Sequence, residues 1–567
     1  MGDIPQFAFD PTTPVKQENF FQRIISSFKR APANDEGAQE KPTDAAITTV
    51  SNDESSLKRT LTARHLQMIA IGGSIGTGLF VGSGSSFSTG GPASVLIGFL
   101  MVSVMLYTVV HALGELTVMY PVQGSFTVYS TRFLDPAWGF AMGWNYALSW
   151  LIVLPIELSA AAIVVDYWKN SVPVGVWITI FFVLIISINL FGVRGYAEAE
   201  FLFASIKVLA IVGFIILAIV IDVGGTPTHH YFGAETWHNP GAFNNGFHGL
   251  CTVFVSAAFS FSGTELVGLA AAETANPRKT LPHATKQVFW RMSMFYIISL
   301  LLIGFIVPYN NARLLNAGGG NAASASPFVI AIDLGGVKVL PDIFNVVILT
   351  AILSAGNAST YASSRTIAAL AGVGQAPKIC GYIDRKGRPM VSLLVAIIFG
   401  FIAYSNLASS GPTVLNWLLA ISGLSSFFTW GSICACHIRF RQGWKYHGHM
   451  LDEIPFRSGA GVIGSWIGLI LNILCLIAQF YVAIWPVGDN VKPSAKAFFN
   501  AYLAVPVVIL FYAVYKIIYW KTTSIITNGK MDVLSGRRQS DLDEIEKEKN
   551  EEMPHKGFFK RIYEFWC

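Results

Sequence analysis

Apolar runs of about 20 residues, the length that carries a helix across a bilayer, recur twelve times along the chain. They centre near residues 78, 105, 150, 183, 209, 259, 297, 355, 397, 427, 473 and 507. Two of them are interrupted. Met68 to Ser88 reads MIAIGGSIGTGLFVGSGSSFS, with Gly72, Gly73, Gly76 and Gly78 at its middle. A glycine inside a helix costs about 1 kcal/mol relative to alanine, so this cluster predicts an unwound centre. In lipid, unwound backbone is tolerated only where it is buried in protein or lines a cavity. The sixth run, TVFVSAAFSFSGTELVGLAA, is interrupted by Gly263 and carries Glu265 in its apolar stretch. Gly76-Thr77 and Gly263-Thr264 also match in type. Glycine-interrupted helices at matching places in two halves of a chain point to an inverted repeat with a midplane site.

Charge supports the twelve crossings. An even count returns both termini to one side, and the loops on that side carry fourteen Lys and Arg: Arg132; Arg194; Arg278, Lys279, Lys286 and Arg291; Lys378, Arg385, Lys386 and Arg388; and Arg439, Arg441, Lys445 and Arg457. The opposite loops carry five, and the long one from Val223 to His248 carries none. The positive-inside rule makes the first set cytoplasmic, as do Lys58, Arg59 and Arg64 before the first run. Residues 1–64 read as a disordered cytoplasmic tail. Its Lys16, Lys29 and Lys41 are either acceptors for ubiquitin-ligase machinery or parts of a solvated tail. Residues 521–567 form a second cytoplasmic tail, ending in HKGFFKRIYEFWC, which could lie on the inner membrane surface. Cys567 is either palmitoylated or a plain free thiol.

With 53% hydrophobic and 13% charged residues, the chain is an all-α polytopic membrane protein rather than a soluble one. Its net charge of +5 says little alone, and no nucleic-acid patch is visible. The six cysteines show neither a disulfide framework nor metal-type spacing, which favours buried free thiols. No apolar leader precedes the first run, so that run directs insertion. No metal cluster, cofactor motif or nucleophile motif emerges; His229, His230 and His238 fall in an outer loop and read as solvated. An integral-membrane enzyme is therefore disfavoured.

The candidate chemistry lies at the breaks. Freed amides at a half-helix N-terminus attract a carboxylate, and freed carbonyls attract an ammonium, which suits the two charged ends of an amino acid. Backbone at Ser74, Ile75, Gly76, Thr77 and Gly78 is the candidate for the carboxylate, unless these glycines only permit close helix packing. Carbonyls around Phe259, Ser260 and Ser262, beside Gly263, are the candidates for the ammonium. Glu265 sits where an ionised group costs roughly 2.5–3.5 kcal/mol to insert; it either carries or shares a proton, or ties the unwound segment together. Lys207 lies about 12 Å into the fifth run, at or beyond the limit of comfortable snorkelling; unless it has a functional role it snorkels or locks structure. Ser149, Val153 and Glu157 share one face of the third helix, with Glu157 after Pro155 either capping a kink or facing the pocket. Ser354, Ala355 and Asn357 on the eighth and Ser422 beside Gly423 on the tenth are small enough to leave room, though ordinary helix–helix hydrogen bonding would also explain them. Small residues at Val153, Ala355 and Ser422 favour a roomy, broadly accepting pocket.

GGSIGTGLF, FSFSGTELVGLAAAE followed by NPRKTLP, NWLLAISGLSSFFTWGSICACHIRFR and the closing FWC together resemble the fungal amino-acid permeases of the amino acid–polyamine–organocation superfamily, and among these the general permeases. The resemblance runs from about Lys58 to Cys567. It implies a LeuT-type core of five plus five inverted helices with two more appended, which places the repeats at about 65–222 and 245–440 and the added helices at about 461–520 within a membrane domain of 65–520. It further implies plasma-membrane residence and proton-coupled uptake by alternating access. It makes Phe259 a gate over the substrate, Ser149 and Val153 side-chain contacts, and Lys207 an ammonium standing where sodium-coupled relatives hold their ion. The third, eighth and tenth helices would line the site. The other readings are an amino-acid sensor on the same fold and a permease of narrower range.

Overall fold

A computed structural model describes residues 27–30, 61–168, 171–274, 277–315, 326–408, 411–488, 493–521 and 523–537. Lys16, Lys41 and Cys567, with the roles suggested for them, lie outside the described residues. Among the described residues, eight helices are long and apolar enough to cross a membrane. One of these, Arg64–Met119, is two crossings: Gly91, at φ 79°, breaks it and Pro92 opens the next. The shorter apolar helices Val174–Leu190 and Ser293–Ile306 each add a crossing. Ala495–Tyr502 and Ala504–Ile518, bent by 70° at their junction, form the last. Twelve spans result among the described residues, at the places the apolar runs predict.

In order after the first pair, the spans are Pro136–Val165, Val174–Leu190, Gly192–Asp222, the broken sixth (Gly246–Phe261 and Leu266–Leu269), Pro277–Ile306, Leu340–Gly372, Met390–Gly400 with its continuation Phe401–Leu407, Gly411–Tyr446, Gly461–Ile484 and the bent twelfth. Their packing repeats when five is added to each member of a pair. The first span packs on the fifth and the sixth on the tenth; the third packs on the fourth, ninth and tenth, and the eighth on the ninth, fourth and fifth. The second packs on the seventh and the third on the eighth, pairs that map onto themselves. An odd number of spans per half gives the halves opposite polarity, so this is an inverted repeat.

Outward faces of the peripheral spans are apolar and exposed, as at Val183, Leu209, Ile216, Ile463 and Ile477, which is the surface lipid requires. The five described cysteines are free and buried. Parts of both terminal segments dock on the helical domain. Tyr382 Oη donates to Phe28 O at 2.7 Å, Arg385 N to Lys29 O at 3.0 Å, and Arg388 covers the Phe28 ring. At the other end, Tyr120 Oη and Arg132 donate to carbonyls of Val533, Asp532 and Ser535, and Arg439 to Ile526 O. Both described terminal segments therefore lie on the face that carries the basic loops. They are held there by backbone carbonyls, which composition does not reveal.

Candidate functional site

The first span's helix ends at Ser74; Ile75 is extended (ψ 96°), and a π-helical turn at Gly78–Gly82 restarts the span. The sixth span's helix ends at Phe261, Ser262 leaves the helical region (ψ 138°) and Gly263 takes φ 105°. That φ is strained for any residue with a side chain. The two breaks touch: a Cβ on Gly263 would lie 2.8 Å from Gly73 C and O, and one on Gly78 would lie 2.6 Å from Ser260 Cα. Tyr296 of the seventh span joins them, its Oη lying 3.0 Å from Ser74 O and 2.7 Å from Ser260 O.

Glu265 is buried and accepts from Gly263 N at 3.2 Å on each oxygen, with Trp430 Nε1 at 3.3 Å and Tyr146 Oη at 3.4 Å also donating to it. Its geometry is that of a clamp on the unwound segment. Glu157 accepts from Thr77 Oγ1, next to Gly76, which in turn packs on Ala355. Ser149 and Ser422 face each other at 3.3 Å, and Val153 is buried. Phe259 and Ser262 are half-buried and Ser260 is buried.

Lys207 is fully buried and does not snorkel: Nζ donates to Gly72 O at 2.5 Å and to Ser354 Oγ at 2.8 Å. Ser354 Oγ donates a hydrogen bond to Glu200, whose other oxygen accepts from Asn357 Nδ2 at 3.2 Å; Asn357 in turn accepts from Asn189 at 2.8 Å. Ser354 and Asn357 thus form part of the surroundings of Lys207. One turn further along the fifth and eighth spans, Tyr196 stacks on Tyr361 at 4.2 Å. Beyond them Glu273 accepts from Arg365 Nε and Tyr361 Oη, both at 2.9 Å. A polar ladder therefore runs between the fifth and eighth spans from the first break to the basic face.

Tyr296, Glu200, Trp430 and the Glu273–Arg365 pair escaped the sequence reading. Arg365 carried a signal, since a charge inside a span marks function or a buried partner. Glu200 did not, because AEAEF at a span's start reads as a solvated helix end. Tyr296 lies in an ordinary apolar run.

A family profile described as Amino acid permease matches residues 65–525. The general amino-acid permease GAP2 of Candida albicans is 51% identical over 570 residues, covering 100% of this chain and 96% of that protein. The general amino-acid permease GAP1 of Saccharomyces cerevisiae is 50% identical over 557 residues, covering 96% and 92%. Cationic amino acid transporter 1 of Schizosaccharomyces pombe is 48% identical over 561 residues, covering 97% and 91%. A profile match that takes in both broken spans, with full-length relatives sharing about half of all positions, places this chain in the amino acid permease family.

Proposed function

We propose that this permease takes up amino acids of several chemical classes across the plasma membrane, each with a proton, by alternating access, with both termini cytoplasmic. The observation that carries the reading is the contact of the two broken spans beside their interruptions, Gly263 against Gly73 and Gly78 against Ser260. Amides of Ser74 to Gly78 receive the carboxylate, and carbonyls of Phe259, Ser260 and Ser262 receive the ammonium. These groups are common to all α-amino acids. Phe259 closes over the bound molecule, and Ser149, Val153, Ala355 and Ser422 leave room for its variable side chain. The names of the relatives support amino acids as the cargo, and the fourteen basic loop residues support the orientation.

In the coupling step, protonated Lys207 holds Gly72 and so fixes the first break. Loss of its proton removes the charge, weakens that bond and frees the first span to part from the eighth. Glu157 and Glu265 keep the two breaks in shape and answer to the same charge balance. A competition panel of the twenty amino acids, run in a transport-deficient host with an acid exterior, tests the proposal. Uptake of one labelled substrate inhibited by several classes, and abolished by collapsing the proton gradient, is the expected result. Inhibition by a single class, or uptake indifferent to the gradient, would overturn it.

A further inference from the structure

Glu200 is a buried carboxylate two turns before Lys207 on the fifth span, about 10 Å nearer the basic face along the helix axis. Side chains on a helix lean toward its N-terminus, so Lys207 reaches back toward Glu200. Ser354 of the eighth span stands between the two. Its Oγ accepts from Lys207 Nζ at 2.8 Å and donates to one Glu200 oxygen, while the other oxygen accepts from Asn357 Nδ2 at 3.2 Å. The same carboxylate lies against Gly72, the residue whose carbonyl Lys207 holds at 2.5 Å; a side chain at Gly72 would collide with it. Ammonium, hydroxyl and carboxylate are therefore lined up at the first break, the hydroxyl already accepting on one side and donating on the other.

Charge balance decides what such a row can do. Were Lys207 to lose its proton to solvent, Glu200 would remain as a buried carboxylate without a compensating charge, which is strongly unfavourable. A proton that passes within the row leaves the net charge of the pair at zero. The other titratable groups facing the pair are already engaged or lie further off. Glu157 of the third span accepts from Thr77, and Tyr196, Tyr361, Arg365 and Glu273 lie beyond Glu200 toward the basic face. Given the proton-coupled uptake proposed above, we propose that Glu200 receives, through Ser354, the proton that Lys207 gives up. One N–H bond of the ammonium breaks as an O–H bond forms on Ser354 Oγ, and the original O–H bond of that hydroxyl breaks as one forms on Glu200. Lys207 becomes a neutral amine, Glu200 a neutral acid, and the Ser354 hydroxyl is restored. The grip on Gly72 weakens in the same event, and the proton comes to rest on the basic-face side of the break.

The test uses the purified full-length protein in liposomes with the pH dye pyranine inside and labelled alanine as the probe. Exchange of labelled for unlabelled alanine without a gradient, uptake driven by an imposed proton gradient, and proton entry are measured side by side. In Glu200→Gln, driven uptake and proton entry should fall on the order of a hundredfold further than exchange does, the lower end of what a positioned proton acceptor contributes. Ser354→Ala should shift the same ratio in the same direction. A purely hydrogen-bonding role would lower exchange and driven uptake together, and that result would overturn the proposal, as would parent-like proton entry in Glu200→Gln. Should Glu200→Gln fail to fold, Ser354→Ala decides: proton entry per alanine equal to the parent's would overturn it, and loss of that entry would uphold it. Lys207→Met, run alongside, separates the two levels. Lys207→Met uncoupled beside a coupled Glu200→Gln would refute the role of Glu200 alone. A coupled Lys207→Met, or a parent that admits no protons with alanine, would end the proton-coupled reading and the role of Glu200 with it.

Discussion

Glu265 folds its carboxylate back onto the Gly263 amide, which lies 3.2 Å from both oxygens. The side chain thereby does for the sixth span what the missing helical carbonyl would have done, two residues from its own backbone. A carboxylate at this place is a positioning residue for the break whether or not it also exchanges a proton.

Replacing Glu265 by alanine strands the Gly263 amide and the Trp430 indole N–H without an acceptor. Each buried unmet donor costs about 1–3 kcal/mol. Glu265→Ala should lower the melting temperature and weaken amino-acid binding at least tenfold. Glu265→Gln keeps an acceptor oxygen and should recover most of both. Melts and equilibrium dialysis with a labelled amino acid decide the matter; a glutamine variant as poor as the alanine one would assign the effect to charge instead.

Lys207 reaches Gly72 O at 2.5 Å and Ser354 Oγ at 2.8 Å. Lys207→Met should leave exchange of labelled for unlabelled amino acid in proteoliposomes within a few-fold of the parent, yet eliminate accumulation driven by an imposed proton gradient. Unchanged accumulation would remove this lysine from the coupling scheme.

Gly76 packs against Ala355, whose Cβ would lie 2.9 Å from a Cβ at that position. Overpacking of this kind costs about 1–3 kcal/mol, and here it falls on the backbone proposed to hold the carboxylate. Gly76→Val should therefore abolish binding of every amino acid tested while the protein still reaches the cell surface. Selective loss of one substrate in a competition panel would contradict a site for the shared groups.

Arg365 and Glu273 pair at 2.9 Å, with side chains 8% and 1% exposed. Removing one partner of a buried pair costs about 3–5 kcal/mol because the other charge is left uncompensated. Arg365→Ala should loosen the ladder at its basic end and raise efflux of preloaded amino acid several-fold, measured in vesicles without a gradient. Efflux equal to the parent's would limit the pair to a structural role.

Hydropathy alone located the twelve spans, and glycine content located both breaks, because these properties are written in consecutive residues. Partners drawn from distant spans are not. Ser354 and Asn357, small and polar on the eighth span, read naturally as pocket residues, but their hydroxyl and amide meet Glu200, which nothing nearby in the chain announces. Lys207 illustrates the same limit: its depth was readable, whereas its acceptor on Gly72 depends on the crossing of the first and fifth spans. Nor does anything in the composition of 523–537 announce that its backbone carbonyls bind Arg132 and Tyr120.

A side chain on Gly263 would lie 2.8 Å from Gly73 C and O, backbone that cannot turn aside, whereas one on Gly73 would meet Leu266 Cδ1 at 2.7 Å, the far end of a side chain that can. The crossing is therefore lopsided in what it forbids. Homologous chains should keep glycine at the position of Gly263, while an enlargement at that of Gly73 should travel with a smaller residue at that of Leu266, some 190 residues further along the chain.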